Sequence, residues 1–161
     1  MNLKYITTLL VLTIFLSACN NGVKPKEHLV EIYSEALTSI MEQDEGLSGD
    51  MKYIAIDMSN FDEVSDSEKK EILKYFKGEY KVEVMDATLK QLQEKGLYDS
   101  SSLVLDGVLL RIEKIDFKGN TEVLFEGSKY RSGDWAVGVI GTVYYKGKKW
   151  NYRNIKVTWI S

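Results

Sequence analysis

The chain has 161 residues, 44% of them apolar and 28% charged, with a formal net charge of -3. That length and apolar share give one folded domain, and a mildly acidic chain lacks the broad basic field that phosphate-backbone binding needs, so no nucleic-acid partner is expected. One His and one Cys exclude His/Cys zinc sites, Cys-His nucleophiles and an internal disulfide framework.

Met1 to Lys4 form a short positive start, followed by a mostly apolar run from Tyr5 to Leu16. The run is too short to cross a bilayer core as a standard helix and fits the apolar region of a secretory signal. It ends in Leu16-Ser17-Ala18-Cys19, which resembles the lipobox of bacterial lipoproteins: an aliphatic residue, two small residues, then Cys. The resemblance implies a signal peptide over residues 1–18, cleaved between Ala18 and Cys19. It implies a diacylglycerol thioether on Cys19, with the protein held on the extracytoplasmic face of the cell membrane. Cys19 is the single Cys of the chain, so lipidation gives it a use that a disulfide cannot. Residues 19–26 make the lipidated Cys and a polar tether. Seven residues from Asn20 to Lys26, at no more than about 3.5 Å each, reach about 25 Å.

From Glu27 to about Gln43, Leu29, Ile32, Tyr33, Ala36, Leu37, Ile40 and Met41 recur at helical spacing, which predicts a one-sided helix. Tyr53 to Ile56 reads as a short strand. Ser65-Asp66-Ser67-Glu68 matches a capping box, opening a helix with Ile72, Leu73, Tyr75 and Phe76 inward and an end near Gly78. Tyr80 to Met85 alternates as a strand. Asp86 is positioned to cap a short helix that carries Leu89 and Leu92 and stops at Gly96.

The remainder alternates at period two. Leu103 to Phe117 changes phase near Glu113 and Lys114, which predicts a bulge. Gly-containing turns at 118–120, 132–134 and 146–149 separate this strand from three more, over 121–126, 135–145 and 150–160. The pattern is an antiparallel meander. Residues 27–161 are therefore expected to form a single α+β domain, with amphipathic helices packed on a curved antiparallel sheet that ends in a four-stranded meander. The element order resembles the cone-like folds of the nuclear transport factor two and cystatin groups, in which a long helix lies in a curved sheet. Gly107 to Lys114, Gly127 to Gly133 and Thr158 to Ser161 resemble a group of small bacterial lipoproteins without an established activity.

Several side chains carry candidate chemistry. His28 stands at the start of the first helix and reads as a solvated first-turn residue. Asp57, Asp62, Glu63, Asp66 and Glu68 cluster, but Phe61 occupies a ligand position of the calcium-loop pattern and the required Gly is missing, so no metal is expected. Tyr130, Arg131 and Trp135 mix aromatic and guanidinium groups around one turn. Tyr144, Tyr145, Trp150, Tyr152 and Trp159 crowd the last hairpin, where strict alternation leaves some facing outward. The candidate binding surface is accordingly Tyr130, Arg131, Trp135, Trp150 and Tyr152. Lys146, Lys148 and Lys149 make a basic tip suited to anionic headgroups. Gly138 and Gly141 interrupt a strand and mark strong curvature or close backbone approach.

The expected function is a non-enzymatic, lipid-anchored binding or adaptor module for an envelope protein, with no catalytic residue and no cofactor. The alternative is a small-ligand or peptide binder with a pocket between the sheet and the first helix. An enzymatic reading would rest on carboxylates such as Asp57 and Glu113.

Overall fold

The computed structural model describes residues 22–99 and 101–161. The segment that resembles a lipobox, the apolar run before it and Cys19 lie outside the described residues. A short 3-10 turn at Pro25–Glu27 leads into α1, Leu29–Met41, whose buried side chains are the apolar stripe read from the sequence. A second 3-10 turn, Glu45–Ser48, precedes β1, Tyr53–Asp57. Helix α2 spans Asp66–Tyr80 and opens on the expected capping box: the Ser65 N–H donates to Glu68 Oε2 at 2.8 Å, and the Glu68 N–H donates to Ser65 Oγ at 3.4 Å.

Helix α2 runs past Gly78 to Tyr80. The Tyr80 ring stacks on Phe76 with centroids 5.6 Å apart, and Lys81 terminates the helix in the left-handed region at φ 58. Strand β2 therefore begins at Glu83 and ends at Asp86. Helix α3, Leu89–Glu94, is capped by Thr88 rather than Asp86, with a second capping box to Gln91. Asp86 accepts instead from the Met58 N–H at 3.2 Å, tying the end of β2 to the end of β1. Strands β3, Tyr98–Asp99, β4, Val104–Phe117, β5, Glu122–Ser132, β6, Trp135–Lys146, and β7, Lys149–Ile160, complete the chain.

The seven strands of the described residues join one open sheet in the order β2-β1-β4-β5-β6-β7, with β3 paired to β4 off this path. Strands β4 to β7 form the expected antiparallel meander, with a register shift between Ile112 and Lys114 where the bulge was read. The α+β class holds. The sheet, however, is mixed: β1 lies parallel to both β4 and β2. All five residues of β1 are buried, as suits a strand covered on both faces.

Helices α1 and α2 cover one face. Ile32, Ala36, Leu37 and Ile40 are fully buried in one core cluster with Val123, Phe125, Val139 and Val143. Helix and sheet are pressed together at Gly127, where a Cβ would collide with Ile40 Cδ1 and fall 2.6 Å from the Arg111 carbonyl. The space expected to hold a ligand pocket is thus filled by side chains. Helix α3 packs on the opposite face, but only over β1 and the start of β4, in a second cluster of Tyr53, Ala55, Ala87, Leu92, Leu105 and Leu109. Among the described residues no helix is long and apolar enough to cross a membrane.

Candidate binding face

Since α1 claims one face of the meander and α3 stops at its border, no element among the described residues covers the other face of β4 to β7. Its rows follow from the register. Asp57, Arg111, Ser128, Gly138 and Trp159 are successive cross-strand partners over five strands. Lys114, Glu126, Ile140 and Lys156 form another row, and Leu124, Thr142 and Arg153 a third. Partners directly opposite one another project to the same side, so these residues share the uncovered face.

The rows differ in chemistry. At one end of the first, Arg111 Nε lies 3.4 Å from Glu113 Oε2 and 3.8 Å from Asp57 Oδ2, and Ser128 Oγ donates to Glu113 Oε1 at 3.0 Å. Both carboxylates weighed for acid–base work therefore rest against one guanidinium. At the other end the Trp159 indole lies directly on Gly138, where any Cβ would collide with it. What approaches this glycine is a side chain rather than the backbone that the sequence led us to expect.

Between Trp159 and the turn at 118–121 the face sinks into an open groove of about 380 Å³, lined by Lys114, Asp116, Leu124, Glu126, Ile140, Thr142 and Lys156. Leu124 is 39% exposed, Ile140 38% and Trp159 49%. Their apolar surface is framed by ion pairs: Lys114 with Glu126 at 3.7 Å, Lys118 with Asp116 at 2.5 Å, and Arg153 with Glu122, the Arg153 guanidinium lying 4.6 Å above the Tyr144 ring. Lys156 has no ion-pair partner among the described residues. Such a surface suits an amphipathic segment that buries apolar side chains in the groove and sets a carboxylate on Lys156.

The five residues read as a binding surface do not come together. Tyr130 packs beside the second core cluster, and its hydroxyl donates to the Leu103 carbonyl at 3.2 Å. Burial pushes its phenol up to about 12. Arg131 is occupied by the loop after α1, its Nη1 donating to the carbonyls of Leu47 at 3.1 Å and Gly49 at 2.5 Å. Trp135 is 58% exposed at the start of β6. Trp150 corrects the expectation outright: it is 3% exposed, in the core under α1 and beside Tyr145. Tyr152 donates to Glu42 Oε2 at 2.6 Å, which pushes its phenol well above the usual range. Three of the five thus stand near the 132–135 turn, and two near the opposite end of the meander on the helix side.

His28 is only partly solvated. Its Nδ1 lies 3.1 Å from Glu31 Oε1, and its ring sits 6.3 Å from the rings of both Tyr145 and Trp150. The acidic stretch disperses: Asp57 accepts from the Ser59 N–H at 3.0 Å, Glu63 pairs with Lys26 at 3.0 Å, and Glu68 serves its capping box. Among the described residues no group of three or more His, Cys, Asp or Glu converges to hold a metal ion.

Two features escaped sequence reasoning. Leu124, Glu126 and Ile140 were signalled only as the complement of the inward positions. Lys129, in phase with Phe125 and Gly127, is fully buried. Its ammonium donates to the carbonyls of Met41 at 2.8 Å, Gln43 at 2.6 Å and Asp44 at 2.9 Å, and to Ser48 Oγ at 2.8 Å. A cation there satisfies the orphan carbonyls at the negative end of α1. Burial pulls it down to about 8.

No protein-family model matches the chain, and no curated protein matches it. Among solved structures, an S-adenosylmethionine-dependent methyltransferase from Clostridium acetobutylicum matches at 8% identity, over 96% of this chain and 80% of that one. The TM-score is 0.23.

Proposed function

We propose that the protein is a lipid-anchored, extracytoplasmic binding module, not an enzyme, and that its uncovered sheet face docks an envelope protein. The anchor rests on the lipobox resemblance at Leu16-Ser17-Ala18-Cys19. The docking reading is carried by one observation: Leu124, Ile140 and Trp159 stand exposed together on a face that no helix among the described residues covers, framed by charge pairs. Apolar side chains grouped on a regular sheet mark an interaction surface rather than random exposure. The partner is a protein that presents an apolar ridge with an acidic residue opposite Lys156. A second reading draws on the groove alone, whose volume of about 380 Å³ falls in the range of small-ligand and peptide sites.

The anchor is tested by growing cells that produce the full chain with a radioactive fatty acid. Wild type incorporates label and Cys19→Ala does not. Label that persists in the variant contradicts the anchor. The docking face is tested with Ile140→Glu, which places a carboxylate beside Glu126; it abolishes co-purification of the envelope partner while thermal stability is retained, and unchanged co-purification contradicts this assignment.

A further inference from the structure

We infer that the end of the sheet formed by the 118–121 and 146–149 turns rests on anionic lipid headgroups, with Lys146, Lys148 and Lys149 as the contact; the inference rests on the lipid anchor proposed above. Three observations meet at that end. The chain enters the described domain there: Gly22 stands beside the Asn120 side chain, Pro25 is buried, and the His28 ring lies 6.3 Å from Tyr145 and Trp150. The two turns are neighbours, since Tyr145 donates to the Thr121 carbonyl at 2.8 Å. Cys19 is three residues from Gly22, a reach of no more than about 10 Å. An acyl anchor at Cys19 therefore brings the bilayer to these turns and to no other end of the meander.

Charge selects the same end. From Trp135 to Ser161 the chain has no Asp or Glu, whereas it holds Lys146, Lys148, Lys149, Arg153 and Lys156 in a protein of net charge -3. The other cations near the entry point are already paired: Lys24 with Glu27 at 2.8 Å, Lys26 with Glu63 at 3.0 Å, Lys118 with Asp116 at 2.5 Å, and Arg153 with Glu122. Lys146, Lys148 and Lys149 are exposed and have no ion-pair partner among the described residues. Each lysine close to an anionic surface strengthens association about fivefold, so three give on the order of a hundredfold. The acyl chains hold the protein to the membrane, and the lysines fix its orientation. The row from Arg111 to Trp159 then crosses the strands away from the lipid, where a partner can reach it.

The experiment is amine-reactive footprinting of the full-chain lipoprotein in two vesicle preparations, phosphatidylcholine alone and three parts phosphatidylcholine to one part phosphatidylglycerol. Lys95, after α3 and at the other end of the sheet, is the internal reference. Relative to Lys95, Lys146, Lys148 and Lys149 label at least threefold less on the anionic vesicles, and high salt removes the difference. In the variant Lys146→Gln, Lys148→Asn, Lys149→Gln, with Asn chosen because Lys148 sits at φ 66, lipid-dependent protection of Lys118 disappears while flotation with the vesicles persists. Equal labelling on both vesicles, with fatty acid incorporated, overturns this inference and leaves the anchor standing. No incorporated fatty acid overturns both. Lysines equally open on both vesicles but protected in intact cells mean that a protein covers the tip, which also overturns the lipid contact.

Discussion

The ammonium of Lys129, in the middle of β5, donates to the carbonyl of Met41, the last residue of α1, at 2.8 Å in a fully buried setting. With Gln43, Asp44 and Ser48 completing its shell, this side chain ties β5 to the end of the helix that covers one sheet face and locks it there. Lys129→Met leaves three carbonyls and a hydroxyl without their donor. It lowers stability by about 3 kcal/mol or more in urea unfolding. A loss below about 1 kcal/mol contradicts the locking role.

The same lysine gives a signature in pH. It holds its proton less tightly in the fold, to about 8, than in the unfolded chain, near its ordinary 10.5. Between those values the unfolded state binds more protons, so the contribution of Lys129 to stability rises with pH. From pH 8 to 10, below the range where buried tyrosines begin to titrate, wild type gains on Lys129→Met by up to about 1 kcal/mol per pH unit. Parallel stability curves for the two proteins would count against the assignment.

Two glycines of the meander separate packing from display. Gly127→Ala sets a Cβ against Ile40 and 2.6 Å from the Arg111 carbonyl, backbone that cannot yield, and costs about 1–3 kcal/mol. Gly138→Ala meets first the half-exposed Trp159 indole, which can swing away. Its melting temperature stays near that of wild type, while the tryptophan emission shifts and partner binding weakens. Equal destabilisation of both variants contradicts the placement of Trp159 on Gly138.

The start of α2 gives a smaller, local test. Ser65→Ala removes the acceptor of the Glu68 N–H and lowers stability by about 1 kcal/mol. Hydrogen bonds from Ser65 hold the Glu68 carboxyl below its ordinary 4.5. A lowered carboxyl stabilises the fold above that value, and the contribution is lost as pH falls through the folded value. Wild type and Ser65→Ala therefore converge in acid and separate at neutral pH. A gap that widens in acid contradicts the cap.

Much of this architecture is legible in one sequence because local physics determines it. The stripe on α1, the Ser65 box, the bulge at Ile112–Lys114 and the four meander strands all follow from period and turn chemistry. Strand direction does not: β1 alternates too briefly to tell parallel from antiparallel, and burial on both sides erases the alternation. Thr88 and Asp86 are both good caps, and only the Met58 N–H across the sheet decides between them. The binding face was half legible. Alternation separates Leu124 and Glu126 from Val123 and Phe125, yet it cannot say which set the helix will cover. Arg131 was misread because its partners, Leu47 and Gly49, lie more than eighty residues away and nothing local announces them. Trp150 shares a phase with Tyr152 on the helix side, and packing under α1 consumed it.

The proposed docking face is the one opposite α1. Its most direct test is site-specific photocrosslinking in intact cells, with the reactive group placed in turn at Ile140, at Trp159 and at Tyr75 on α2. One dominant envelope protein is captured from both Ile140 and Trp159, is absent from Tyr75 and is lost when Lys156 is changed to Glu. The same products from all three positions, or a partner captured only from Tyr75, would contradict this docking face.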